Sequence, residues 1–113
     1  MHEMSITVSI VRTLKEEMVL HPGTALKKIR LGVGELAGVE EGSLRFSLEA
    51  ALAEEQWSAV EVEITKVPLR AKCKQCGNEF DAEPADFRCP KCGSGEFTIE
   101  AGQSVTIDSI VIE

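Results

Sequence analysis

The chain has 113 residues, of which 43% are hydrophobic and 27% are charged, and its formal net charge is -7. This length allows one compact domain with a small appended lobe, and no apolar run approaches the ~20 residues that a membrane helix needs. The negative charge repels nucleic acid and anionic membranes, so we expect neither as a partner. The N-terminus lacks a basic region followed by an apolar run, as a signal peptide would have, and we therefore expect a cytoplasmic protein.

The first twenty residues carry two competing hydrophobic periods. Ile6, Val8 and Ile10 alternate with polar residues, as in a strand. A longer, helical period is carried by apolar residues three or four apart, namely Met4, Val8, Val11, Leu14 and Met18. The longer period predicts a helix over residues 4–20. We expect it to stop at His21-Pro22, because the residue before a proline is pushed out of the helical conformation.

The middle of the chain alternates strand and helix patterns. Hydrophobic alternation predicts strands at residues 27–35 and 60–65, and Pro68 ends the second one. Between them an acidic loop, residues 35–42, leads into a second helix that runs to about Glu55. Its apolar face consists of Leu44, Leu48, Ala51 and Leu52. Glu40 and Glu41 lie near its start, where a helix favours negative charge.

The last third predicts one further core strand. Phe97 and Ile99 alternate briefly, and a final strand runs from Val105 to Ile112. Its phase slips at Asp108-Ser109, which predicts a bulge. The order of elements predicts an α+β fold: two helices packed on a small mixed three-stranded sheet, with a four-cysteine zinc-ribbon lobe inserted before the last strand. We divide the chain into an α/β domain, residues 1–68 plus 99–113, and a zinc-binding lobe, residues 69–98.

All four cysteines lie in the inserted segment. They form two Cys-x-x-Cys pairs separated by twelve residues, and each pair is followed by glycine: Cys73, Cys76, Gly77 and Cys89, Cys92, Gly93. Two intervening residues let both sulfurs turn onto one tetrahedral ion. The glycine can take a left-handed conformation that lets the following backbone N–H face a sulfur. We predict a structural zinc site, because a lobe of about 25 residues cannot fold on its own hydrophobic surface.

Other roles for this segment stay open. Two disulfides would suit an exported chain, and a thioredoxin-like motif would need only one pair. An iron site of the rubredoxin type uses the same cysteine pattern, although only Phe80 and Phe87 lie between the pairs. Basic residues surround the cysteines, namely Arg70, Lys72, Lys74, Arg88 and Lys91. They favour the alternative of a zinc-ribbon module that binds nucleic acid or protein.

The N-terminal sequence Met1-His2-Glu3 offers a second metal site. The α-amine of Met1, the amide nitrogen of His2 and its imidazole can close two fused chelate rings, and Glu3 can add a fourth donor. Square-planar, nitrogen-rich coordination suits Ni(II) or Cu(II). We interpret His21, the other histidine, as a helix-terminal charge. No serine–histidine–carboxylate set or phosphate-cradling glycine loop is present, so we do not expect an enzyme.

Three motifs together resemble the HypA/HybF family of nickel metallochaperones for hydrogenase maturation. These are the N-terminal Met1-His2-Glu3, the segment Val33-Gly34-Glu35-Leu36 and the two cysteine pairs. The resemblance implies nickel at the N-terminus as cargo and structural zinc on the four cysteines. It also implies delivery of nickel to the large-subunit precursor of a [NiFe]-hydrogenase, with a maturation GTPase as partner. We expect a monomer or weak homodimer, and we consider Glu40 as an extra nickel ligand.

Overall fold

The structure is a computed structural model and describes residues 3–82 and 87–113. Its helices are α1, Glu3–Val19, and α2, Glu41–Glu54. Its strands are β1, Leu26–Gly34, β2, Glu61–Val67, β3, Arg70–Cys73, β4, Glu79–Asp81, β5, Phe97–Ala101, and β6, Val105–Ile112. Neither helix of the described ranges is long and apolar enough to cross a membrane.

The strands form two separate sheets of three. The first has the order β2-β1-β6, with β1 parallel to β2 and antiparallel to β6. The second has the order β4-β3-β5 and is antiparallel throughout. The predicted fold is confirmed: two helices accompany a mixed three-stranded sheet, and the cysteine segment is inserted between its strands β2 and β6. Strands β3 and β4 were not predicted from the sequence.

Helix α1 packs through a narrower face than its sequence period indicated. Ile6, Ile10 and Leu14 are buried, whereas Met4 and Val8 are 65% and 52% exposed. The predicted helix is confirmed, and Met4 and Val8, which carry part of its helical period, lie outside the packed face. Thr7, 1% exposed, lies beside the buried face instead, and its hydroxyl is 2.9 Å from that of Ser47 on α2. A hydroxyl pair thus satisfies a buried polar group at the contact between the two helices.

Helix α2 has the predicted face and a side-chain cap. Leu44, Leu48 and Leu52 are buried against the first sheet. Glu40 is the N-cap residue, and its carboxylate accepts hydrogen bonds from the backbone N–H groups of Gly42, at 3.0 Å, and Ser43, at 2.7 Å. These are two of the donors that a helix start leaves unpaired, so the negative charge stabilises the first turn.

The predicted irregularity in the last strand is confirmed. In the pairing of β1 with β6, Arg30 faces Ser109 and the next residue, Leu31, faces Ile107. Asp108 is therefore the extra residue of a bulge. The bulge explains why hydrophobic side chains on both sides of it reach the same core despite the slipped alternation.

The described residues pack around two distinct cores. One contains the apolar faces of both helices and the first sheet, and the other contains Leu69, Ala71, Phe80, Ala82 and two cysteines. The radius of gyration is 17.2 Å, against about 13 Å for a compact domain of this length. We call the first body the helix lobe, built from α1, α2, β1, β2 and β6, and the second the cysteine lobe, built from β3–β5 and the four cysteines. The predicted domain boundaries stay a prediction, although β5 pairing places residues 99–101 in the second sheet.

Candidate metal centre

The two cysteine pairs form two turns with the same backbone geometry. In the first, the N–H of Gly77 donates to the carbonyl of Cys73 at 3.0 Å, and in the second the N–H of Gly93 donates to the carbonyl of Cys89 at 2.8 Å. Both glycines have φ = +76°, a conformation that side-chain-bearing residues rarely adopt. Each turn therefore reverses the chain tightly enough to point both of its sulfurs the same way.

The two turns face each other and bring the four sulfurs together. All four Sγ atoms lie within 4.8 Å of one another. Cys73 Sγ lies 3.5 Å from Cys92 Sγ, and Cys76 Sγ lies 3.6 Å from Cys89 Sγ. A tetrahedral ion with metal–sulfur bonds of about 2.3 Å requires sulfur–sulfur separations of about 3.8 Å. The donor set therefore fits a single four-coordinate ion, and all four cysteines are free thiols rather than disulfides.

Backbone N–H groups point at the sulfurs of the two buried cysteines. The N–H groups of Cys76 and Gln75 lie 3.5 and 3.3 Å from Cys73 Sγ. Both lower the pKa of Cys73, and the N–H of Cys76 has the larger effect. Burial raises the pKa of Cys89. The N–H groups of Cys92 and Lys91, with the Asn78 amide, outweigh that effect and bring the pKa to about 6. Both thiolates therefore form more readily than that of an ordinary cysteine.

Cys92 shows the opposite balance. The N–H of Ser94, the residue after Gly93, lowers its pKa, as the sequence analysis expected of a residue that follows the glycine. The neighbouring cysteines, Cys73 above all, together with burial raise the pKa of Cys92 by more than Ser94 lowers it, so that this pKa reaches about 12. Successive negative charges in so small a volume repel one another, and a bound cation removes that repulsion. The electrostatics of the cluster therefore favour occupancy by a metal ion.

Aromatic and basic side chains surround the cluster. Phe87 stacks on Phe97 with a ring-centroid distance of 5.3 Å, and Phe80 is buried in the same core. Phe97 follows the second cysteine pair in the sequence, so it was not counted among the aromatic residues considered for an iron site. Among the basic residues, Arg70 is paired with Asp81 at 3.0 Å, which reduces the positive charge available to a nucleic acid.

The N-terminal site stays a prediction. Met1 and His2 lie outside the described residues, and α1 begins at Glu3. Glu40 holds the start of α2 through both carboxylate oxygens, and these bonds hold its pKa below the usual value. His21 lies at the far end of α1, where its Nε2 is 3.4 Å from Glu17 Oε1. Glu40 is thus a helix cap, and its role as an extra nickel ligand stays a prediction.

Helices on one mixed sheet and a four-cysteine lobe inserted into it define a small, two-lobed metal-binding protein. A family model described as "Hydrogenase/urease nickel incorporation, metallochaperone, hypA" matches residues 1–112. The chain belongs to the HypA family, and the resemblance seen in the sequence is confirmed.

Relatives match over the full length of the chain. The hydrogenase maturation factor HypA of Chlorobaculum tepidum is 35% identical over 113 residues, which cover all of both chains. That of Desulfatibacillum aliphaticivorans is 34% identical over 99% of this chain and 87% of its own. The solution structure of the nickel metallochaperone HypA from Helicobacter pylori superposes with a TM-score of 0.72 at 21% identity, covering 97% of this chain and 96% of that one. The last comparison supports the fold.

Proposed function

We propose that this protein is a nickel carrier that binds Ni(II) at Met1-His2-Glu3 and delivers it to the large-subunit precursor of a [NiFe]-hydrogenase. The observation that carries the proposal is the match of nearly the whole chain, including these three residues, to a family of nickel-incorporation metallochaperones. In this proposal the protein has no catalytic role and acts in the cytoplasm. A hydrogenase-maturation GTPase is the predicted partner in loading or releasing the metal.

The chemistry of the N-terminus suits a metal that must be passed on. The amine, the amide nitrogen and the imidazole form a plane and leave the axial positions open to an incoming ligand. A further consideration is the start of α1 at Glu3, because the positive end of a helix dipole disfavours a nearby cation. We therefore expect moderate nickel affinity, as a donor requires.

We assign zinc to the four cysteines as a permanent, structural ion. Four thiolates complete a tetrahedral shell and leave no open position, which is typical of structural rather than catalytic zinc. Cys73 and Cys89 also belong to the small core of the cysteine lobe, so an ion held there ties the two turns together. Metal analysis separates zinc from the iron alternative, since an iron tetrathiolate protein would be red and a zinc protein colourless.

The decisive experiment compares untagged protein with two histidine variants. In His2→Ala we expect nickel binding to disappear in isothermal titration while mass spectrometry of the metals still finds one zinc per chain. His21→Ala is the matched control, because it removes the other imidazole from a position beside Glu17 at the opposite end of α1. It should bind nickel like the parent protein. Unchanged nickel stoichiometry in His2→Ala would refute the assignment of the nickel site.

A further inference from the structure

The two lobes are joined by a close crossing of backbone rather than by a loose linker. Strand β1 lies between β2 and β6, and it ends at Gly34. Beyond that point the chain of β2 continues through Pro68 into β3, and β5 continues through Gly102 into β6. The two flanking chains, separated by β1 in the first sheet, become direct neighbours as β3 and β5 in the second.

Two glycines make this crossing sterically feasible. A Cβ atom on Gly34 would lie 2.4 Å from the carbonyl of Gly102, and a Cβ atom on Gly102 would lie 2.6 Å from the carbonyl oxygen of Pro68. Gly102 also has φ = +95°. The three chain segments thus touch backbone to backbone, which leaves no room for a side chain at either glycine.

Glu35 holds the crossing from the end of the middle strand. Its N–H donates to the carbonyl of Val67 at 3.1 Å, and its carboxylate Oε2 accepts the N–H of Leu69 at 2.9 Å. These two hydrogen bonds hold the residues before and after Pro68, which cannot donate a backbone hydrogen bond itself. The next residue, Leu36, donates its N–H to the carbonyl of Gly102 at 2.8 Å and so binds the second crossing chain.

Leu69 transmits this contact into the cysteine lobe. Its side chain is fully buried in the core of that lobe, and its carbonyl accepts the N–H of Ala82 at 2.7 Å. A buried backbone donor without an acceptor is unfavourable, so the Glu35 carboxylate favours one position of Leu69 over others. One side chain of the helix lobe therefore constrains the first residue of the cysteine-lobe core.

The crossing also lies beside the start of α1. Ser5 and Ser9 of α1 share a groove of about 530 Å³ with Gln103 and Ser104, which follow Gly102. The crossing that sets the orientation of the cysteine lobe is thus close to the first turns of α1.

We propose that Glu35 is a positioning residue that fixes the orientation of the cysteine lobe relative to α1. The start of α1 and the cysteine lobe therefore keep one relative orientation, and this inference does not depend on the proposed function.

Three variants test the role of the carboxylate, all as zinc-loaded, nickel-free protein. Glu35→Asp keeps the charge but shortens the reach to Leu69, and Glu35→Gln removes the charge but keeps an acceptor oxygen at the same length. Glu79→Ala is the control, because it removes an exposed carboxylate from β4. Residual dipolar couplings report the relative orientation of the lobes, and amide hydrogen exchange reports the Leu69 N–H.

In the parent protein, Glu35→Gln and Glu79→Ala, one alignment tensor should fit both lobes. In Glu35→Asp the lobes should require separate tensors, and the Leu69 amide should exchange roughly ten- to a hundredfold faster, as expected when a part-buried hydrogen bond to a charged group is lost. The proposal is overturned if Glu35→Asp keeps a single tensor and unchanged exchange, or if Glu35→Gln is as strongly affected. Since no nickel is present, neither outcome depends on where nickel binds.

Discussion

Replacing Cys89 with serine is expected to unfold the cysteine lobe and to leave the helix lobe folded. Leu69 and Phe80 are the large apolar side chains buried in the described part of the cysteine lobe, and they contribute about 1.5–3 kcal/mol each, roughly 3–6 kcal/mol together. Structural zinc contributes about 10–16 kcal/mol in small zinc-finger peptides. The metal is therefore the larger stabilising term, and it should be lost when one of four ligands is removed.

The helix lobe has a separate hydrophobic core and should stay folded in Cys89→Ser. Two-dimensional amide NMR can read each residue separately: in Cys89→Ser the signals of β3, β4 and β5 should collapse to unfolded positions, while those of α1, α2 and β1 should stay dispersed. A chelator added to the parent protein should give the same spectrum. Lys91→Ala, an exposed change inside the same turn, serves as control. A cysteine lobe that stays folded without metal, or loss of both lobes together, would refute the reasoning.

Three further measurements address the helix lobe and the proposed cargo. Leu48→Ala removes a fully buried side chain, so the free energy of unfolding of the helix lobe should fall by about 2–5 kcal/mol in urea titration with zinc content unchanged, and an unaltered midpoint would contradict this. Glu40→Ala should lower the melting temperature at neutral pH. Backbone N–H groups of Ser43 and Gly42 hold the pKa of Glu40 below its usual value, so its contribution is present above the unfolded-state pKa and is lost as the pH falls through the lower, folded-state pKa. Melting curves of variant and parent should therefore converge in acid, and a constant difference would argue against the cap. Finally, nickel should dissociate before zinc as the pH falls through about 6.5, because the imidazole and amine ligands must lose protons to bind. Dialysis at a series of pH values followed by metal analysis measures the order of release, and release of zinc first would contradict the prediction.

The sequence predicted those parts of the fold whose signal is local. The apolar face of α2 is unambiguous because its leucines recur without a competing pattern, and the slip at Asp108-Ser109 is visible as a break in alternation. The left-handed conformation after each cysteine pair is predictable because a glycine stands directly after the second cysteine. Each of these features is decided by residues within one turn or one strand of each other.

Features that depend on another element were not predictable in this way. In α1 the sequence offers two overlapping apolar stripes, one through Met4 and Val8 and one through Ile6 and Ile10. The structure buries the second, with the Thr7 hydroxyl placed opposite Ser47, a residue 40 positions away. The choice between stripes depends on where α2 packs, and no periodicity within α1 contains that information.

The crossing between the lobes was also not predicted, because it depends on residues far apart in the sequence. From the sequence, Glu35 is only an acidic residue of the loop that follows β1, within the motif Val33-Gly34-Glu35-Leu36. Its meaning depends on Leu69 and Gly102, which approach it only after the cysteine lobe has been inserted. A glycine followed by an acidic residue at a strand end is too common a pattern to indicate such a joint alone.

The cysteine lobe lies near the start of α1 because of the directions in which α1 and the strands run, more than because of any single contact. Grooves pair the first turns of α1 with the start of β6, and its last turns with the middle of β6, so α1 runs parallel to β6. Since β6 is antiparallel to β1 and β2 is parallel to β1, α1 begins at the edge where β1 and β2 end. A lobe inserted after β2 must therefore emerge on the side of the sheet where α1 begins. The topology therefore brings the cysteine lobe close to α1, and the proposed role of Glu35 is limited to fixing the orientation of the lobe.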